Sequence, residues 1–323
     1  MTPADAPVFP PEPADPLAIA PAGRPAGRRR EALAVLRRAI RTPRGAVGLA
    51  IAGLVILIAA FGPLLAPHGS TAFVTVPFSP PSAQVPLGGD NLGRDVLSRV
   101  LDGGWALLLM AAVATLLGLV IGAACGVAAA YFGGWWDNLI MRAVDVVLAF
   151  PQLVFALLLV SVLGPRIWLI VLAVGISHAP QVARVTRAGA LDVCERDFVK
   201  ATQILGIPAR RIIRREVLPN LTSVLMVELG LRLTYSILVI AGLSFLGFGL
   251  QPPSPSWGLM INENRTAMVV NPWGVVAPAL LIALLTIGMN TFTDAIARAS
   301  LGVDRRLDDP EQALSLAAAG STR

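Results

Sequence analysis

The 323-residue chain has two cysteines, two histidines and one lysine, and charged residues make up only 14% of it. Each shortage removes a class of function. Cys125 falls in an apolar run and Cys194 in a polar loop. That gives neither a disulfide framework nor a metal cluster, so both read as packing residues. Lys200 follows Val199, so no Gly-Lys-Ser/Thr phosphate loop exists and ATP hydrolysis by a Walker mechanism is not expected of this chain. A His/Glu metal pattern and a nucleophile beside a base are also missing, which argues against an intramembrane enzyme. With 55% hydrophobic residues and a mean hydropathy of +0.70, the chain lies outside soluble composition and reads as a membrane protein.

The formal net charge of +6 is not a nucleic-acid signature, because the basic residues sit in blocks beside apolar spans with no aromatic platform next to them. Residues 1–32 are rich in proline and arginine and are expected to be a disordered cytoplasmic tail. They contain no apolar core before a small-residue cleavage site, so a signal peptide is not expected. Charge-free or nearly charge-free stretches at 46–65, 105–130, 139–163, 167–185, 221–249 and 272–296 are each long enough to cross the roughly 30 Å bilayer core as helices. Of the 26 Lys and Arg residues, 21 fall on one side of this six-span arrangement and four on the other, with Arg232 inside span five. The predicted fold is therefore an all-α polytopic membrane protein with both termini cytoplasmic.

Within this frame, 33–104 holds the first span and an outer segment, 105–300 five spans, and 301–323 a cytoplasmic tail. In the outer segment, Asp90 or Asn91 is placed to cap a helix whose Val96, Leu97, Val100 and Leu101 form one stripe. Arg94, Asp95, Ser98, Arg99 and Asp102 face the other way, which predicts a helix lying on the outer surface. In span two, Gly118, Gly122, Gly126 and Ala130 recur every fourth residue and favour close helix packing inside the subunit over a dimer seam. In span three, Arg142 and Asp145 are expected to pair, and Pro151 to bend the helix near midplane. His178 beside Pro180 in span four reads as a hydrogen-bonded helix residue, not a ligand. Glu228 and Arg232, one turn apart in span five, form a candidate ion pair lining a hydrated pore.

The stretch 186–220 is the longest polar break in the second half. Asp197 can cap a short helix on which Phe198, Ala201 and Leu205 recur at helical spacing, and Gly206 followed by Pro208 supplies a stop, a turn and a new start. Arg210, Arg211, Arg214 and Arg215 then flank Ile212, Ile213 and Val217, an arrangement suited to a lipid headgroup surface.

FVKATQILG followed by REVLPN resembles the cytoplasmic "EAA loop" of binding-protein-dependent ABC importer permeases, with Ala201, Gly206, Leu218 and Pro219 on the pattern. Lys200 stands where the pattern has Glu, and Thr202 where it has the second Ala. LGGDNLGRD, MRAVDVVLAFP and LSFLGFG running into PPSPSWG resemble the dipeptide, oligopeptide and nickel branch of that family. Many relatives carry an acid where Ile240 stands, so any role for that acid is absent here. The resemblance covers residues 33–306.

It implies a type I ABC importer permease in the bacterial inner membrane, paired with a second, homologous permease, two ATPase subunits and an extracytoplasmic solute-binding protein. It further implies that Asp197, Phe198, Lys200, Ala201, Thr202, Leu205, Gly206 and Pro219 belong to an ATPase-coupling loop. ATP and Mg would be bound by the ATPase subunits, leaving this chain without a cofactor or metal of its own. Peptide is the default solute. The alternative is a secondary transporter or channel working alone, which would place ionisable residues or broken helices at midplane as an ion site. Charges in the spans are few and mostly near the cytoplasmic ends.

Overall fold

The computed structural model describes residues 28–301, mostly helical, with a long non-helical stretch at 66–95 and a shorter one at 246–256. Most of the amino-terminal tail, together with Arg24, Arg305 and Arg306, lies outside the described residues. Helix α1 (Arg28–Arg41) begins inside the segment read as disordered and runs to a break at Thr42. There the Thr42 hydroxyl accepts from the Gly45 amide at 3.1 Å, and Pro43 opens α2 (Pro43–Leu65).

Four further helices are long and apolar enough to span: α4 (Gly104–Phe132, continuing the short α3, Val96–Asp102), α7 (Ile167–Cys194), α11 (Thr222–Phe245) and α13 (Trp273–Leu301). Span three is different from the expected bent helix. Pro151 does not bend a continuous helix but ends one, and α5 (Gly134–Leu148) and α6 (Gln152–Leu163) meet at 82°. Proline has no N–H to continue the ladder and disfavours helical geometry in the residue before it.

Glycines set the packing of the spans. A Cβ on Gly118, Gly122 or Gly126 would lie 2.7, 2.5 and 2.5 Å from the carbonyl oxygens of Gly175, Ala179 and Ala183 respectively. The small-residue stripe is thus consumed inside the subunit, against α7. The offset between the two partners stays constant as both advance, so α4 and α7 run parallel. Two parallel spans require the chain between them to return across the membrane, and only α5 and α6 are available to do so. The bent pair is therefore one broken crossing, and the crossings among the described residues number six. Gly48 and Gly288 bring α2 and α13 together, antiparallel, which puts the start of α2 and the end of α13 on the same side.

The helix expected to lie on the outer surface after Asp90 or Asn91 is instead packed into the molecule. Asp95, not Asp90 or Asn91, caps α3, accepting from the Leu97 and Ser98 amides. The polar side of α3 is buried, with Arg94, Asp95, Ser98 and Arg99 each at most 2% exposed. Asp90 receives Arg94 Nε at 2.7 Å and an Arg99 guanidinium nitrogen, and both arginines reach Glu263 on α12 (Trp257–Asn264), at 3.3 and 2.8 Å. Trp257, fully buried, donates its indole N–H to the Val100 carbonyl at 2.8 Å. Two cations and two carboxylates thus neutralise each other and pin the outer segment onto the end of the bundle.

Candidate coupling and translocation site

The polar break is shorter than read, because α7 stays helical through Cys194. Helix α8 (Asp197–Ile204) follows; the residue at its N-cap position is Arg196, not Asp197, and no side chain caps it. Asp197 occupies the first helical position, where its charge still favours the helix dipole. At the other end the Gly206 amide bonds the Gln203 carbonyl at 3.0 Å and the Ile207 amide bonds the Thr202 carbonyl at 3.2 Å. This paired closure needs a left-handed residue, and Gly206 has φ +70°. Pro208 then precedes α9 (Ala209–Ile212), a π turn (Ile213–Val217) and α10 (Leu218–Asn220), which carries Pro219 at its start.

One side of this unit is anchored and the other is free. Val199, Ile212, Val217 and Leu221 are buried with Val127, Ala130, Ala190 and Val193 in a small core under the elbow. Phe198 and Ala201 are exposed, and Ile204 and Leu205 are 86% and 76% exposed. Lys200 points to solvent, while Thr202 is half-buried and bonds back to the Val199 carbonyl at 2.7 Å. Ile204 was missed by sequence reading because helical periodicity alone favoured Leu205. The chain closes at Leu205, and both side chains project from the last turn.

Arg142 and Asp145 do not pair. Asp145 accepts from Arg184 on α7 at 2.5 Å, and Arg142 is exposed without a partner among the described residues. One turn further along α7, Arg187 makes two bonds to Asp137, at 2.5 and 2.6 Å. These two bridges staple α5 to α7 at the end near the elbow.

Deeper in the bundle, polar side chains from four helices, α4, α6, α7 and α11, pair with one another. Arg232 Nε donates to Glu228 Oε2 at 3.0 Å, another guanidinium nitrogen donates to Gln181 Oε1 at 3.1 Å, and the cation lies 5.4 Å from the exposed Tyr235 ring. Gln152, the first residue after the break in span three, places Nε2 2.9 Å from His178 Nδ1 and 3.2 Å from Ser177 Oγ. Thr115 donates to Ser236 at 2.9 Å. Gln152 and Gln181 could not be singled out from sequence, since uncharged amides at unrelated positions give no spacing signal. No cluster of metal-ligating side chains occurs among the described residues.

The model of the inner membrane component of binding-protein-dependent transport systems matches residues 118–301, which includes the elbow and this polar seam. The chain belongs to that family. The permease is 38% identical over 245 residues to the glutathione transport system permease protein GsiD of Escherichia coli and, to the same extent, to that of Shigella boydii serotype 4. Each alignment covers 75% of the permease and 81% of the relative. An inward-facing MetNI methionine ABC transporter matches with a TM-score of 0.52 at 18% identity, over 62% of the permease and 95% of that chain, a likeness of fold alone. The permease is a multi-pass inner-membrane subunit of an ABC importer of the dipeptide/oligopeptide type, a class that works with ATPase and binding-protein partners.

Proposed function

We propose that this permease forms half of the path for a small peptide or related solute, with a second, homologous permease completing it and two ATPase subunits attached at the elbow. The observation that carries this reading is the free apolar edge of α8: Phe198, Ala201, Ile204 and Leu205 are exposed on a helix otherwise held firmly by Val199 and its closing turn. An apolar edge on a rigid arm is a surface for a protein groove. Closure of the ATPase dimer on ATP and Mg would push this arm and move α7 and α11, switching access to the path. This chain would contribute no catalytic group and bind no cofactor. On the positive-inside rule the arginine-rich side that carries the elbow would be the cytoplasmic side, and the start of α2 and the end of α13 would face it too.

The seam of Arg232, Glu228, Gln181, Gln152 and Tyr235 supports the path, because groups of this kind are costly against lipid and face water or a partner. The relatives' names point to glutathione, a small thiol peptide, so a short peptide is the solute class proposed here. The test is co-expression of the permease with its companion permease and ATPases. Wild type should retain the ATPases through detergent purification, and Phe198→Asp should lose them while still reaching the membrane. Full retention and full ATP hydrolysis by Phe198→Asp would count against α8 as the coupling element.

A further inference from the structure

Beyond the elbow, a groove of about 370 Å³ runs between α4 and the segment that follows Gly206. One wall is Ala124, Ala128 and Phe132 on α4; the other is Arg210, Ile213 and Arg214. No acidic residue lines it. Arg210 and Arg214 are exposed, and their guanidinium groups make no hydrogen bond or ion pair with any described residue, unlike those of Arg184, Arg187 and Arg232. The groove therefore combines an apolar floor with two exposed cations that have no protein partner among the described residues.

Its depth follows from its neighbours. Phe132 at the end of α4 is followed by Trp135 and Trp136, all exposed, and aromatic side chains in this position mark the membrane interface. From Phe132 the lining climbs α4 to Ala123, a rise of about 13 Å at 1.5 Å per residue. That is most of one leaflet of a roughly 30 Å hydrocarbon core. The arginine wall contains the π turn Ile213–Val217, a local irregularity that is rare in helices and frequent at functional sites.

We propose that this groove seats one anionic phospholipid of the inner leaflet, its phosphate on Arg210 and Arg214 and an acyl chain along the alanine face of α4. The placement on the inner leaflet rests on the cytoplasmic orientation proposed above. A free phosphate would satisfy the arginines but leave the alanine and phenylalanine wall open to water, whereas a lipid covers both. The occupant bridges α4 to the base of the lever, so the lipid content of the membrane acts on the arm that meets the ATPase.

The experiment is native mass spectrometry of the assembled importer, with both permeases and the ATPases, released from micelles doped with phosphatidylglycerol or phosphatidylcholine. Wild type should keep phosphatidylglycerol in preference to phosphatidylcholine. Arg210→Gln with Arg214→Gln should weaken its retention by about 30-fold, on the scale of one factor of about five per arginine near the surface. Ala124→Leu, which keeps both charges and fills the floor, should also lower retention. Arg211→Gln, which removes an equal charge outside the lining, should leave it unchanged. Equal retention of the two lipids by wild type, or unchanged retention in the double variant, overturns the proposal. So does displacement of the lipid by millimolar inorganic phosphate, which would reveal a plain anion site. Loss of the ATPases from the double variant with lipid retention intact would assign the groove to a protein partner and equally overturn it. Phe198→Asp, which tests the coupling reading, should keep the lipid, so the two readings fail separately.

Discussion

Arg232 is a cation withdrawn from water inside α11, and its three contacts replace the hydration it has lost: a carboxylate, an amide oxygen and an aromatic face. Its side chain is 11% exposed and that of Glu228 only 6%. Removing one partner of such a pair strands the other charge, at a cost on the order of 3–5 kcal/mol, whereas removing both together is much milder. Arg232→Gln should therefore lower the thermal stability of the purified complex clearly more than the double change Glu228→Gln with Arg232→Gln; a thermal shift assay that finds the double change the worse would refute the buried-pair reading. The same helix geometry explains why this pair was legible and Arg142–Asp145 was misleading. Helical side chains lean toward the amino terminus, so Arg232 leans toward Glu228 one turn before it, while Arg142 leans away from Asp145. Asp145 pairs instead with Arg184, 39 residues further along the chain and on another helix, a partner that no spacing reveals.

At the scale of the element, α8 and its closing turn work as one rigid piece because the turn depends on a single left-handed residue. Gly206 has φ +70° and no atom near the place a Cβ would take, so the penalty for replacing it is conformational and not steric. A β-branched residue there costs about 1–2 kcal/mol, and asparagine, which tolerates the left-handed region, costs less. Gly206→Val should cut solute-stimulated ATP hydrolysis several-fold in reconstituted importer with subunit assembly preserved, and Gly206→Asn should keep most of it. Equal activity in the two variants would show that the turn geometry is irrelevant to coupling. The elbow itself was readable from Gly206 and Pro208. The cap was not, since Asp197 and Arg196 are adjacent and the chain enters the helix one residue earlier than a side-chain cap would require.

For the whole molecule, the parallel run of α4 beside α7 makes the broken pair α5 and α6 a single crossing, and the elbow and the outer segment then fall on opposite faces. In a variant lacking Cys125 and Cys194, a cysteine placed at Val269, which is 98% exposed, should react with a membrane-impermeant maleimide in right-side-out vesicles. One placed at Leu205, 76% exposed, should react only in inverted vesicles. The reverse labelling pattern would invert the proposed orientation and with it the assignment of the lipid groove to the inner leaflet.

Number and position of the crossings, the small-residue seam on α4 and the elbow were carried by the sequence, because each depends on local properties: uninterrupted apolar length, a four-residue glycine repeat, a glycine next to a proline. What tertiary structure alone decided was the fate of the polar residues. The apparently solvent-facing side of α3 is buried because Asp90, Arg94 and Arg99 cancel charge with one another and with Glu263, which lies 164 to 169 residues further along the chain from the two arginines. Likewise Gln152 meets His178, and Arg184 meets Asp145, only because span three breaks and folds against α7. A charge reads as exposed until its partner is found, and partners are set by packing, which no local pattern in the chain encodes.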